Sequence, residues 1–85
     1  MKGRDMARYV TVVPAYGRDY KSKAEVMADW HGGKDFRLAS PYDVQEFGGM
    51  YVNQVDLAKW NSEHDVKVVL HIRYRRNERI MEVKQ

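Results

Sequence analysis

The stretch 66–84, VKVVLHIRYRRNERIMEVK, limits what this chain can fold into more than any other. Val66, Val68, Leu70, Ile72 and Tyr74 alternate with Lys67, Val69, His71, Arg73 and Arg75. A period of two marks a strand with one buried face. A two-residue turn at Asn77 and Glu78 would send the chain back. It sets Tyr74 opposite Met81 and Ile72 opposite Val83 on the apolar face, and Arg73 opposite Glu82 on the other. The chain therefore ends in a predicted β-hairpin, and a hairpin needs further elements to cover its apolar face.

Those elements precede it. Residues 8–14, RYVTVVP, are rich in β-branched side chains and read as a strand that Pro14 terminates. Both of its faces, Val10 and Val12 against Tyr9, Thr11 and Val13, are fairly apolar, which predicts a central strand covered on both sides. Residues 15–21 form a loop in which Tyr16, Arg18, Tyr20 and Lys21 mix aromatic and basic groups. Ser22 and Glu25 have capping-box spacing and open a helix with Val26, Met27 and Trp30 inward; His31 sits in its last turn and Gly32-Gly33 ends it. Residues 34–39 read as a short strand with Phe36 and Leu38 on one face, and 40–43 as a turn. Residues 45–51 carry no firm signal, although Met50, Tyr51 and Val52 suit a brief strand. Asn53 caps a second helix with Asp56 in its first turn and Val55, Leu57, Ala58 and Trp60 as its buried side. Residues 61–65 read as a polar turn. The order β-α-β-(β)-α-β-β predicts an α+β fold: a small, partly antiparallel sheet with two short helices on one face and a C-terminal β-hairpin.

At 85 residues the chain suits one domain, with 1–5 expected to be a flexible N-terminal tail and Met6 an alternative start. There is no cysteine, which excludes disulfides, thiolate nucleophiles and thiolate-held metals. The opening MKGRDMARYV lacks the apolar core of a secretory signal, and no apolar run approaches the roughly 18 residues of a membrane span, so a cytoplasmic address without membrane contact is expected.

No catalytic motif stands out. His31, His64 and His71 lack mutual metal-ligand spacing, and no HExxH, GxSxG, P-loop or GxGxxG pattern occurs. Asp29, Asp35, Asp43 and Glu46 supply carboxylates, but nothing pairs them around a reacting atom. A non-enzymatic protein without cofactor or metal is expected.

The charge pattern says more. Residues 1–23 hold six basic residues against Asp5 and Asp19, and 66–85 hold six against Glu78 and Glu82. Between them, eight acids face only Lys34, Arg37 and Lys59. Such asymmetry either marks a polyanion-binding surface or is complemented inside the fold. On the first reading, nucleic acid is contacted by Lys67, His71, Arg73 and Arg75 on the outer face of the hairpin, with Arg76 and Arg79 beside its turn. Tyr16, Arg18, Tyr20, Lys21 and Lys23 join from the 15–23 loop: cations for phosphate, tyrosines for unpaired bases. On the second, these cations decorate and protect a solvent-facing sheet, and Arg73 pairs with Glu82.

A protein partner is the alternative. The hairpin edge and the segment around Met50, Tyr51 and Trp60 are its candidate surfaces, unless Trp30 and Trp60 are simply the two large core anchors. The same edge could pair with a second copy to give a homodimer.

The run from Tyr9 to Lys23, YVTVVPAYGRDYKSK, followed by Ala28-Asp29-Trp30 and Gly33-Lys34-Asp35-Phe36, resembles a group of very short uncharacterised proteins encoded in bacteriophage and prophage genomes. Val52-Asn53-Gln54-Val55-Asp56 and Ile72-Arg73-Tyr74-Arg75 are similar to the same group, so the resemblance covers most of 7–76. It implies a phage accessory protein acting in the host cytoplasm, where a binder of nucleic acid, an inhibitor of a host protein and a minor virion component are the classes to separate. It carries no activity and transfers no functional residue.

Overall fold

In the computed structural model, which describes residues 8–76 and 79–83, the run of β-branched residues near the N-terminus forms the middle of a five-stranded sheet. The elements in chain order are β1 (Arg8–Pro14), α1 (Lys23–His31), β2 (Phe36–Leu38), α2 (Pro41–Phe47), β3 (Tyr51–Val52), α3 (Gln54–Glu63), β4 (Val68–Arg73) and β5 (Ile80–Val83). The strand order is β3-β2-β1-β4-β5. β1 runs parallel to β4; the β1–β2, β2–β3 and β4–β5 pairs are antiparallel. The fold class is the expected α+β, with one helix more than expected.

That helix is α2, in a region read as a turn and an unassigned stretch. Its signals are local. Ser40 stands at the N-cap, Pro41 at the first helical position, Asp43 in the first turn, and Gly48 ends it with φ +80°, a left-handed conformation that favours glycine. With four of its seven residues polar or proline, it shows too little apolar periodicity to be found by pattern. The caps expected elsewhere are in place. Ser22 accepts from the Glu25 N–H at 3.3 Å, and Asn53 accepts from the Asp56 N–H at 2.9 Å. Glu25 reaches back to the N–H of Lys21, at 3.0 Å, one residue beyond the usual capping-box partner.

Side-chain alternation divides the sheet into two unlike faces. Val10, Val12, Phe36, Leu38, Val52, Val68, Leu70, Ile72, Met81 and Val83 are buried with Val26 and Trp30 of α1 and Leu57 of α3. Trp30 meets Phe36 edge-on, ring centroids 5.9 Å apart. The other face, with Tyr9, Thr11, Val13, Arg37, Val69, His71, Arg73, Ile80 and Glu82, carries no helix among the described residues and is half-buried to exposed. β1 is thus central but, among the described residues, covered on one side only. The half-apolar character of its outer face reflects β-propensity and cross-strand contact rather than a second layer.

The hairpin forms with its faces as expected and its register shifted by two. Ile72 faces Met81, Leu70 faces Val83, His71 faces Glu82 and Arg73 faces Ile80. The Tyr74 N–H donates to the Arg79 carbonyl at 3.1 Å, so the connection is longer than a two-residue turn. A shift of two keeps every side chain on its face. It changes partners, however: Glu82 meets His71 (3.7 Å) instead of Arg73. The proposed Asn77-Glu78 turn and the 1–5 tail lie outside the described residues.

α3 also differs from expectation. Leu57 is buried and Trp60 half-buried, but Val55 and Ala58 are exposed. The helix runs on to Glu63, into the expected polar turn, and Asn61 takes the buried position one turn after Leu57. Its side-chain oxygen accepts the Val68 N–H at 2.8 Å, which ties the end of α3 to the start of β4. A polar residue is used there because a buried backbone N–H needs a partner. Of the two tryptophans only Trp30 is a full core anchor. No helix among the described residues is long and apolar enough to cross a membrane.

Candidate nucleic-acid interface

The uncovered sheet face has a gradient of chemistry along its strands. Toward the start of β1, Tyr9 is 53% exposed and its ring lies 4.5 Å from that of His71. Thr11 and Val13 follow. At the carboxyl ends of the parallel strands β1 and β4 the face ends in arginines. Arg37 on β2 stands beside Val13, as their register requires, and Arg73 closes β4. From Tyr9 to Val13 the face runs about 13 Å at the rise of an extended chain.

Beyond the strand ends, the two regions singled out in the sequence meet. The Tyr20 N–H donates to the Tyr74 carbonyl at 3.1 Å, which ties the loop after β1 to the end of β4. Gly17, with φ +72°, donates to the Pro14 carbonyl at 3.1 Å and turns the chain sharply. Between this loop and the β4–β5 connection lies a groove of about 190 Å³, bordered by Arg18, Asp19, Arg37, Arg73, Arg75 and Arg76. Asp19 is its one carboxylate among the described residues.

Not all of that charge is available. Arg18 lies over the Tyr20 ring, 4.5 Å from its centroid, and 3.8 Å from the carboxylates of both Glu25 and Asp29. Arg76 is 3.9 Å from Asp19, with its side chain 90% exposed. Pairs this exposed contribute little and open readily. Among the described residues Arg37, Arg73 and Arg75 have no ion-pair partner. Among the described residues Arg8 is the one cation neutralised inside the fold. It lies on the helix side of the sheet, donates to Asp43 at 2.7 Å and to Glu46, and sits within 6 Å of the rings of Tyr42, Phe47 and Trp60. Its hydrogen bond to Glu46 leads the effects that raise its pKa above the ordinary value, against the cost of partial burial. The charge asymmetry is thus complemented internally at Arg8 and in part at Arg18, and left open at the end of the sheet.

The structure re-sorts the residues picked from sequence. Arg18, Arg73 and Arg75 border the groove together. Tyr16 is 91% exposed on the adjoining loop, and His71 lies on the open face under Tyr9. Lys21 and Lys23 are exposed at the start of α1, beside the loop but outside the groove. Two residues leave the set. Tyr20 is buried, packs on Phe36 and donates its hydroxyl to Asp29 at 2.6 Å, so no base can stack on it. Burial, with Asp29 adding to it, pushes its hydroxyl up to about 12. Lys67 precedes β4 at the opposite end of the sheet and borders Asn61 and Ser62 of α3. Two residues join the set. Arg37 came from the acidic middle of the chain, and only the β1–β2 pairing delivers it. Tyr9 was legible as part of the second face of β1, but neither its exposure nor its place beside His71 was.

Among the described residues no three His, Asp or Glu side chains are grouped to hold a metal ion. No family model matches the chain, and neither a curated protein nor a solved structure matches it.

Proposed function

We propose that this chain is a non-enzymatic binding protein that takes single-stranded nucleic acid, alone or in a nucleoprotein, on its uncovered sheet face. The resemblance to phage and prophage proteins makes a phage accessory protein in the host cytoplasm the setting of this reading. The observation that carries it is the convergence of Arg37, Arg73 and Arg75 at one end of a face whose other end exposes Tyr9 over His71. Guanidinium groups neutralise phosphates, and an exposed aromatic ring on an open sheet stacks an unpaired base whatever its identity. A duplex fits less well, because among the described residues no helix projects from this face to enter a groove.

The test is fluorescence anisotropy of short labelled single-stranded and duplex oligonucleotides, with Tyr9→Ser and Arg73→Glu variants checked for native circular dichroism. Single strands should bind more tightly than duplex, and each variant should weaken binding. No binding at low salt by the folded wild type ends the proposal.

A protein partner is the second reading, and a separate surface favours it. Tyr42, Met50, Tyr51 and Val55 are exposed around α2, β3 and α3, where Phe47, Tyr51 and Trp60 border a groove of about 230 Å³. Capture of one host protein after nuclease treatment, lost in Met50→Asp, would support it.

A further inference from the structure

Resting on the nucleic-acid reading, we infer that the arginine groove at the end of β1 and β4 receives the terminal phosphate monoester of a bound strand. The first ground is position. The open face stops where the 15–19 loop and the β4–β5 connection begin, and the Tyr20–Tyr74 hydrogen bond joins those two segments. A strand lying along the face therefore brings its end to the groove. The second ground is charge. Arg18, Arg37 and the 73–76 stretch with Arg73, Arg75 and Arg76 bring five cations from three separate segments to one cleft, against Asp19 alone among the described residues. A phosphodiester inside a strand carries one negative charge. A terminal monoester carries about 1.5 to 2 at neutral pH and has three acceptor oxygens, which suits several guanidinium forks. The third ground is chemistry. All five cations are arginine, none lysine, and arginine is the side chain that binds phosphate through paired, directional N–H groups.

The experiment compares one oligonucleotide sequence in three forms: 5′-phosphate, 3′-phosphate and hydroxyl at both ends. One phosphorylated form should bind about tenfold more tightly than the hydroxyl form, the size of one or two added charge-assisted hydrogen bonds. The favoured end also gives the polarity of the strand on the sheet. In the Arg75→Gln/Arg76→Gln variant the ratio between phosphorylated and hydroxyl forms should fall to about one, beyond the loss from Arg75 that both forms share. Inorganic phosphate should abolish the preference at concentrations that spare hydroxyl-form binding; loss of all binding together would mean general screening and would overturn the assignment. Equal binding of the three forms also overturns it and leaves the nucleic-acid reading intact. Failure of all three to bind overturns both.

Discussion

The salt dependence of binding gives the sharpest test of how the sheet end works. Each phosphate neutralised on a single strand contributes about −0.7 to the slope of log K against log salt. Three arginines of the site, Arg37, Arg73 and Arg75, have no ion-pair partner among the described residues, and Arg18 and Arg76 are held only by exposed pairs near 3.8–3.9 Å. With the first three alone the slope is about −2, and with all five about −3.5. A fourfold rise in salt, from about 50 to about 200 mM, should therefore weaken binding by about 20-fold to about 130-fold. Removing one cation by Arg73→Gln should flatten the slope by about 0.7. Arg8→Gln serves as the contrast. It deletes a cation that already faces Asp43 and Glu46, so it should leave the slope unchanged in protein that remains folded. Anisotropy titrations at four or more salt concentrations read all three slopes. A flat wild-type slope, or an Arg73→Gln slope equal to wild type, refutes phosphate neutralisation by this surface.

Three predictions concern the fold that presents the site. Leu57→Ala removes the wholly buried residue of α3 and should cost about 2–5 kcal/mol in urea unfolding, a large part of what a domain this size has; a loss below about 1 kcal/mol would mean that α3 packs loosely. Arg8→Met strands the Asp43 carboxylate, whose side chain is only 11% exposed, and should cost about 2–3 kcal/mol, less than a fully buried pair because Arg8 itself is 22% exposed. Adding Asp43→Leu to it should recover stability, and additive losses would show that the two residues do not act as a pair. For Tyr20 the sign follows from its raised hydroxyl, about 12 against 10.0. Unfolded chains lose this proton first, so its contribution is complete below about pH 10 and falls away as pH rises toward about 12, by about 2 kcal/mol. Relative to Tyr20→Phe, wild-type stability should decline over that window. Parallel curves would place Tyr20 in water.

Much of the fold was legible in order and face, less in pairing. The helix starts at Ser22 and Asn53 were readable because a cap is a local hydrogen bond between residues three apart. β1, β2 and the inward set of β4 were readable because burial follows a period of two. What failed had weak local signal or a non-local cause. α2 is too short and polar for periodicity to reveal. Val55 and Ala58 were assigned inward by hydrophobicity, but the helical period carries them off the Leu57 face. Tyr20 looked like a binding residue because aromatic and basic neighbours surround it in the chain; its burial depends on Phe36 and Asp29, which lie 16 and 9 residues further on.

The sequence by itself determined a sheet with one strongly apolar face, the helix caps, and a chain with basic ends and an acidic middle. Side-chain alternation and short-range hydrogen bonds act over a few residues, and they are written directly into residue order. Tertiary structure decided that the second face stays open, that the two basic regions adjoin, and that Arg37 joins them while Arg8 is neutralised under α2. Those outcomes depend on which strands pair and in what register. Parallel pairing of β1 with β4 puts both carboxyl ends, and the loops that follow them, at the same edge of the sheet. Composition fixes how many charges a chain carries; only the pairing of distant strands settles which of them share a surface.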